Sequence, residues 1–353
     1  MNNEQKEVVI DPHDEKLRKQ IHATYEDLGI APLMKTDGVT EICINGENKI
    51  FFEQNSVWKS IECPNNQSND RINGLGTLLI NAAGQSQQFD EINPMLSLTM
   101  PDGERTQLVR SPAVEDCSLT IRIPSKQIFT MDEYAEKGLF KKIKQTDGIT
   151  DEDRELKELL VKEDYQQFME KAVAYRKNIV VSGATGSGKT TFMKTLISKI
   201  DKSERIITIE DARELFIDHP NRVHLVYPKS KSESTVTAKS CLEATLRMKP
   251  DRIILAAVRG DEAFYFIRAC GNGHSGSITS CHADSALMAY EQLALMIAAS
   301  NDVNLSYGVI KHLIMMTIDI SIHFANIKGK RFITGIDFEP ERKLKLLRGE
   351  KLD

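Results

Sequence analysis

The residues whose types and spacing best fit chemistry form the segment Gly183-Ala184-Thr185-Gly186-Ser187-Gly188-Lys189-Thr190, which is followed by Thr191. The pattern G-x-x-x-x-G-K-[ST] is that of a phosphate-binding loop. Its glycines let successive backbone N–H groups point at a β-phosphate, and its lysine reaches the β- and γ-oxygens. The hydroxyl of Thr190 is the expected ligand of Mg²⁺, so the segment predicts binding of ATP together with Mg²⁺.

The elements on either side of the loop fit this interpretation. The apolar run 177–182 predicts a buried strand before the loop, and apolar positions at Phe192, Leu196 and Ile200 predict a helix after it. A strand, a loop and a helix in that order place phosphate at a helix N-terminus, where unpaired N–H groups and the helix dipole favour anions. The order disfavours the alternative of a glycine-rich turn that merely joins two elements.

Composition limits the class of protein. The chain has 353 residues, of which 41% are hydrophobic and 27% charged, as expected for a soluble protein of two or three domains. A formal net charge of −5 argues against a dominant electrostatic grip on nucleic acid, although local basic patches leave such contact open. The six cysteines form no C-x-x-C pair, and no run reaches the ~18 apolar residues of a membrane span. We therefore expect a cytoplasmic protein.

The first part of the chain predicts an α+β domain over residues 1–124. Alternating apolar patterns and turn residues indicate helices within 1–30 and over 75–83, and strands over 39–44, 49–53, 57–61, 96–100, 105–109 and 119–123. Residues 125–170 are rich in charge and predict a helical linker between domains. A solvated helix face is the commoner explanation of such a charge run than a binding surface.

Residues 171–353 predict an α/β domain with a parallel sheet, because strands and helices alternate after the phosphate loop. The expected strands cover 205–209, 222–226, 252–258 and 277–280, the expected helices cover 239–248, 261–269 and 286–299, and a hairpin over 318–324 and 331–336 closes the chain.

Four segments together resemble the secretion superfamily of hexameric ATPases. They are the phosphate loop, an acidic box over 208–214, a Walker B-like segment over 246–260, and a histidine box over 273–283. N-terminal segments over 41–45, 101–107 and 121–122 match as well, so the resemblance covers nearly the whole chain. The sequence of the histidine box most resembles that of the traffic ATPases of VirB-type type IV secretion and conjugation systems. The absence of a four-cysteine zinc element speaks against the type II secretion branch.

The resemblance implies roles for acids and histidines that would otherwise be ascribed to structure. Glu210 and Glu214 follow a strand end, at the rim where α/β sheets bind ligands, and they become candidates for catalysis. His274 and His282 are expected to sense the γ-phosphate rather than to bind a metal, since no third ligand accompanies them.

Three arginines acquire roles in the same way. Arg259 belongs to the Walker B-like segment. Arg105 and Arg122 match the family's N-terminal arginines, which the resemblance expects to reach ATP between the domains or across a subunit boundary. Without the resemblance, both would be ordinary charges on strands.

One departure from the family pattern concerns turnover. Family members carry Glu in the segment Ile-Leu-x-Glu-x-Arg-Gly, where it polarises the attacking water or supports Mg²⁺, whereas this chain has Ala257 at that position. A methyl group performs neither task. Two explanations stay open, a natural loss and a deliberate substitution, and the intact remainder of the motifs favours the second.

The resemblance thus implies a RecA-like C-terminal domain and a homo-oligomeric ring, a hexamer, that is peripheral to the cytoplasmic side of the inner membrane. Other secretion-system ATPases and inner-membrane components are the expected partners. We expect a motor ATPase of type IV secretion, conjugation and pilus assembly that is impaired in hydrolysis. The alternatives are a type II secretion or type IV pilus motor, a nucleotide-gated scaffold that recruits partners, and a DNA translocase, which the acidic balance disfavours.

Overall fold

Two β-sheets organise the part of the chain that the computed structural model describes. That part comprises residues 8–9, 15–46, 48–63, 69–82, 88–124, 128–141, 148–228, 234–300 and 303–350. Each sheet has seven strands within these residues. The fold is therefore mixed α/β, with an antiparallel N-terminal sheet and a mostly parallel C-terminal sheet.

The N-terminal sheet has the strand order β1-β5-β6-β7-β2-β3-β4. Its neighbours are antiparallel except for β1 and β5, which run parallel. Apolar residues on one face pack with three helices to form a core. The strands are β1 (Val8–Val9), β2 (Val39–Ile44), β3 (Lys49–Gln54), β4 (Val57–Glu62), β5 (Met95–Thr99), β6 (Arg105–Val109) and β7 (Ser118–Arg122), and the helices are α1 (Glu15–Asp27), α2 (Ala31–Met34) and α3 (Asn69–Ala82).

The C-terminal sheet has the order β10-β9-β11-β12-β8-β13-β14. All neighbours are parallel except β13 and β14, which form an antiparallel hairpin. The central strands are buried along their whole length, as expected for a parallel sheet covered on both faces. The strands are β8 (Ile179–Gly183), β9 (Ile206–Glu210), β10 (Arg222–Val226), β11 (Arg252–Leu255), β12 (Ile278–Cys281), β13 (Ile320–Ile327) and β14 (Lys330–Asp337).

Helices cover both faces of this sheet. The face with α5, α6 and α7 forms one core and the face with α8 to α11 forms another. Thr130, Thr150 and Thr237 begin α4, α5 and α8 with capping boxes, in which side chains satisfy the first N–H groups. The helices are α4 (Met131–Glu136), α5 (Asp151–Val161), α6 (Tyr165–Ala174), α7 (Lys189–Ser198), α8 (Ala238–Thr245), α9 (Glu262–Gly271), α10 (Ala286–Ala298), α11 (Tyr307–Thr317) and α12 (Pro340–Leu347).

The structure confirms the predicted strands and the main predicted helices to within a few residues. Three helices, α2, α11 and α12, were missed, and strand β1 lies within the segment 1–30 that was predicted to be helical. The helices α5 and α6, which the sequence assigned to the linker over 125–170, share a core with the C-terminal sheet through Leu156, Leu159 and Phe168. Their apolar positions pack on β8 and its neighbours, so in packing terms they belong to that sheet. Parts of the predicted N-terminal helix and linker lie outside the described residues.

A buried arginine joins the two sheets. The side chain of Arg205 is 0% exposed, and its guanidinium donates to Met248 O at 2.8 Å, to Asn45 Oδ1 at 3.1 Å and to Thr120 Oγ1 at 3.3 Å. Because two of these acceptors belong to the N-terminal domain and one to the C-terminal domain, a single side chain bridges the junction. Trp58 Nε1 adds a hydrogen bond of 2.9 Å to Asp251 Oδ2 across the same junction.

Replacement of Arg205 by alanine is expected to destabilise the junction. The substitution leaves buried acceptors without a donor, so the free energy of unfolding should fall by about 2–4 kcal/mol. Urea denaturation followed by circular dichroism measures this change. The matched control is Arg154→Ala. This arginine is exposed and forms an ion pair with Asp151 on the same helix, so its loss should shift stability by less than about 0.5 kcal/mol. Equal effects of the two substitutions would contradict the bridging role.

Candidate nucleotide-binding site

The phosphate loop connects the end of β8 to the start of α7. Gly183, Gly186 and Gly188 have φ angles of +145°, +76° and +106°, which residues other than glycine rarely adopt. A methyl group on Gly183 would collide with the backbone carbonyl of Phe324. Gly188 is the N-cap of α7 and offers no side-chain cap, so the first N–H groups of the helix are left for another acceptor. The glycines therefore make a cradle that only glycine can form.

The polar side chains of the loop fit a phosphate ligand. Lys189 Nζ donates to the carbonyls of Gly183 at 2.7 Å and Ala184 at 2.9 Å, and burial lowers its pKa. Ser187 is 1% exposed, and its hydroxyl has no hydrogen-bond partner among the described residues. An anion bound in the loop could accept hydrogen bonds from both the Lys189 ammonium and the Ser187 hydroxyl. Thr185, Thr190 and Thr191 lie on or just beyond the same loop.

The carboxyl ends of four parallel strands meet at the edge of the sheet that holds the loop. Gly183 and Glu210 are the last residues of β8 and β9, and Ala257 and His282 lie within two residues of the ends of β11 and β12. His282 hydrogen bonds to the backbone of Gly183, and partial burial together with the Lys189 ammonium lowers its pKa. A neutral imidazole therefore lies beside the loop at neutral pH. This is the edge where α/β sheets bind ligands.

Glu210 is tied into the structure of this edge. Its side chain is 0% exposed, and its carboxylate accepts hydrogen bonds from the backbone N–H groups of Glu214 and Leu215, each at 2.8 Å, and from Thr208 Oγ1 at 3.1 Å. These bonds close the loop that follows β9. Glu214 is exposed on that loop, so only the second of the two predicted acids has a side chain facing solvent.

Arg259 is also engaged at this edge. Its guanidinium forms an ion pair of 2.6 Å with Asp211, and its backbone N–H donates to the carboxylate of Glu262. Glu262 is buried and accepts a second backbone hydrogen bond from Gly260 at 3.0 Å. The turn after β11 is thus held by Glu262, a role that the sequence analysis missed. The i, i+3 spacing of Arg259 and Glu262 could have indicated it.

His274, Arg105 and Arg122 lie at the opposite edge of the sheet. His274 precedes β12 whereas His282 follows it, and its Nδ1 lies 3.2 Å from the carbonyl of Pro250 at the start of β11. A whole strand separates the two histidines, so within one chain only His282 lies beside the phosphate loop, and the expected role of His274 as a γ-phosphate sensor stays a prediction. A cavity of about 260 Å³ at the junction of the domains is lined by Glu41, Leu98, Arg105, Thr106, Arg122, Leu246, Arg247, Lys249 and His274.

The two N-terminal arginines are neighbours in this cavity. Arg105 and Arg122 face each other across β6 and β7, and Arg122 Nε lies 3.7 Å from the buried carboxylate of Glu41. Two adjacent guanidinium groups with lysine and histidine nearby form a basic surface that suits an anion. The structure therefore brings Arg105, Arg122 and His274 together, but apart from the phosphate loop of their own chain.

Two residues near the loop escaped the sequence analysis. His323 of β13 lies with Nδ1 3.0 Å from Ser182 Oγ, and burial, with a smaller contribution from the Lys189 ammonium, lowers its pKa. Arg331 of β14 lies against Gly188. Neither residue belongs to a local motif, because the pairing of β13 with β8 brings them to the loop from more than a hundred residues away.

The comparisons with known proteins agree with this arrangement. The family model of the type II/IV secretion system protein matches residues 26–319. The type IV secretion system protein VirB11 of Brucella suis biovar 1 (strain 1330) is 39% identical over 353 residues, covering 96% of this chain and 97% of the relative. The chain belongs to the VirB11 family of type IV secretion system proteins.

Further type IV secretion system proteins and a solved structure are similar to this chain over most of its length. VirB11 of Bartonella henselae is 38% identical over 91% of this chain and 94% of its own length, and PtlH of Bordetella pertussis is 35% identical over 86% and 90%. The crystal structure of the VirB11 ATPase from the Brucella suis type IV secretion system in complex with sulphate superposes with a TM-score of 0.85 at 40% identity, covering 92% of this chain and 99% of that one. Within the described residues, no helix combines the length and apolar character that crossing a membrane requires.

The buried carboxylate of Glu41 predicts a pH dependence of stability. Burial raises the pKa of Glu41 from 4.5 to about 7, against the opposing effect of the Arg122 guanidinium. The folded chain therefore binds more protons than the unfolded chain between these values, so this group lowers stability as pH rises from 4.5 to about 7. Glu41→Gln removes that loss, and its melting temperature should exceed that of the parent at about pH 8 but match it at about pH 5.

Thermal unfolding at the two pH values, with the exposed Glu62→Gln as control, measures the effect. Glu62→Gln should leave the difference between the two pH values unchanged. A Glu41→Gln variant that is less stable than the parent at the higher pH would show instead that the ion pair with Arg122 outweighs the burial of Glu41.

Proposed function

We propose that this chain is a RecA-like motor ATPase of a type IV secretion machine, and that it binds ATP with Mg²⁺ at the loop over 183–191. The observation that carries the proposal is the glycine cradle at the end of β8, with Lys189 and His282 beside it. Membership of the VirB11 family supports the biological setting. Secretion, conjugative transfer and pilus assembly are the processes that such a motor would power.

Each loop residue has a proposed task in holding the triphosphate. The backbone N–H groups over 183–191 receive phosphate oxygens, and Lys189 leaves its two loop carbonyls to neutralise the β- and γ-oxygens. Thr190 would ligate Mg²⁺, which supplies neutralisation of developing charge on the phosphates. His282 lies beside Gly183, where its imidazole would contact the γ-phosphate. Binding therefore requires no residue from another subunit.

Hydrolysis is proposed to be impaired because Ala257 stands where the family pattern has Glu. Ala257 follows β11 next to the end of β9, so a carboxylate at this position would face the same edge as the phosphate loop. Glu210 is poorly placed to replace it, because its carboxylate already accepts three hydrogen bonds. Of the other two acids of the box, Asp211 forms an ion pair with Arg259, whereas Glu214 is exposed. The chain would then bind ATP and turn it over slowly.

A ring is proposed because the site is divided between two edges of the sheet. Arg105, Arg122 and His274 lie at the edge opposite to the phosphate loop, so in cis they are separated from the nucleotide. Head-to-tail assembly of identical subunits would bring one subunit's arginines to the neighbour's γ-phosphate, as arginine fingers act in other phosphoryl transfers. We propose a hexamer at the cytoplasmic side of the inner membrane, in contact with other secretion-system ATPases and inner-membrane components.

Ala257 also favours a second function without turnover. A chain that binds ATP and hydrolyses it slowly can act as a nucleotide-gated scaffold, which recruits partners while ATP remains bound. The two proposals differ in whether function depends on hydrolysis. A scaffold needs only bound ATP and would function with Ala257, whereas a motor needs the carboxylate that Ala257→Glu restores.

Ala257→Glu is expected to restore turnover. A carboxylate that orients water and accepts its proton contributes about 10²–10⁴-fold, so steady-state phosphate release should rise by a factor in that range. The affinity for ATP, measured by calorimetry, should change far less. Lys189→Ala in both backgrounds is the control and should weaken ATP binding markedly, because the phosphates lose their fixed cation.

Two results would count against these assignments. If the parent chain hydrolyses ATP as fast as Ala257→Glu, position 257 is not catalytic and Glu214 becomes the leading candidate. If Lys189→Ala binds ATP as well as its parent, the loop is not the nucleotide site.

Mixing two inactive variants tests the division of the site between subunits. In the Ala257→Glu background, rings of Lys189→Ala lack the loop cation and rings of Arg122→Ala lack the arginine, so each should be nearly inactive. In randomly mixed rings, some interfaces have Lys189 on one subunit and Arg122 on its neighbour. At equal mixing about one quarter of the interfaces have both, so about one quarter of the Ala257→Glu activity should return. Co-purification of the untagged variant with an affinity-tagged copy of the other variant confirms co-assembly. Co-assembled rings that remain inactive would exclude action across the boundary.

A further inference from the structure

The β13–β14 hairpin extends the sheet directly beside the phosphate loop. Phe324 of β13 pairs with Gly183 of β8, and its carbonyl lies against the α-carbon of that glycine. The ring of Phe324 also packs on Phe192 of α7, with centroids 4.8 Å apart. The hairpin is therefore fixed to both the strand before the loop and the helix after it.

Arg331 extends from this hairpin onto the loop. A methyl group placed on Gly188 would lie 3.0 Å from Arg331 Cδ and 3.6 Å from its Nε. Gly188 is the N-cap of α7 and immediately precedes Lys189. The arginine thus lies across the end of the cradle from which the helix N–H groups emerge.

The charges around Arg331 are unbalanced. No carboxylate in the described part of the chain forms an ion pair with Arg331, whose side chain is exposed. Among the residues that the structure describes, Lys189 donates only to backbone carbonyls, and α7 directs the positive end of its dipole to the same place. A helix N-terminus and a nearby cation both attract an anion.

We propose that Arg331 binds the phosphate chain of the nucleotide held by the loop of its own subunit. The inference rests on the proposed ATP-binding function and adds an arginine in cis to the arginines assigned to the neighbouring subunit. A guanidinium suits this task because its planar donors bind two phosphate oxygens at once. The hairpin would then hold the nucleotide from the side opposite to His282, since β13 and β12 flank β8.

Stacking of Arg331 on the purine is the competing arrangement, since guanidinium groups also pack on aromatic rings. The position of Arg331 favours the phosphates, because its Nε lies over the N-cap glycine of α7. The two arrangements differ in whether Arg331 matters for a ligand that has phosphates and no base.

Calorimetric titration of the full chain with Mg²⁺-ATP and with inorganic tripolyphosphate separates them. Arg331→Ala should weaken binding of both ligands by roughly 10- to 100-fold, the usual effect of removing a charge-assisted hydrogen bond. Arg331→Lys keeps the charge without the paired donors and should lose less. Lys330→Ala, on the same hairpin and also exposed, is the matched control and should change affinity by less than about threefold.

Each outcome decides the assignment. Weaker binding of ATP with unchanged binding of tripolyphosphate would place Arg331 on the base or ribose and overturn the proposal, and so would unchanged binding of both. If Arg331→Ala does not fold, as judged by thermal unfolding, Arg331→Lys supplies the same comparison. Lys189→Ala distinguishes a failure of the proposed nucleotide site from a failure of the role of Arg331. If Lys189→Ala binds ATP as well as the parent chain, the loop is not the nucleotide site. If Lys189→Ala weakens ATP binding and Arg331→Ala does not, only the role of Arg331 is rejected.

Discussion

The close approach of β13 to the end of β8 is the constraint on which the candidate site depends. The carbonyl of Phe324 occupies the space where a side chain on residue 183 would lie, so the chain must have glycine there and must turn sharply. That turn sets the direction in which the loop leaves the sheet, and α7 then begins where the loop ends. Packing of Phe324 on Phe192 fixes the helix relative to the strand. The cradle is thus preorganised by strand pairing and not by a ligand.

Parallel pairing explains which residues can act together within one chain. Every strand from β9 to β8 presents its carboxyl end at the same edge, and the residues that follow these ends share one environment. Residues that precede the strands share the other edge, where the N-terminal sheet docks and Arg205 bridges the domains. The same topology that assembles the cradle therefore separates it from the two N-terminal arginines within one chain.

Much of this organisation was predictable from the sequence, because the signals were local. The strand, loop and helix around Lys189 follow from a short motif and apolar periodicity, and the strands of both sheets follow from β-branched runs between turns. The position of His274 was not predictable from periodicity, since the histidine box reads as one continuous segment although β12 carries its two ends to different edges. Arg331 and Glu210 illustrate the other limit. Their surroundings depend on strand pairing and on backbone hydrogen bonds that no spacing rule specifies.

The junction between the domains contains the one tryptophan of the chain, Trp58. Its indole donates to Asp251, and the Arg205 guanidinium lies 5.9 Å from its ring centre. Indole emission responds to the charges and the water that surround the ring, so the tryptophan fluorescence of this protein comes from a single position between the two sheets. Any movement of the N-terminal sheet away from the C-terminal sheet would therefore change the wavelength and intensity of the tryptophan emission. The movement could be followed without a label and without interference from a second tryptophan.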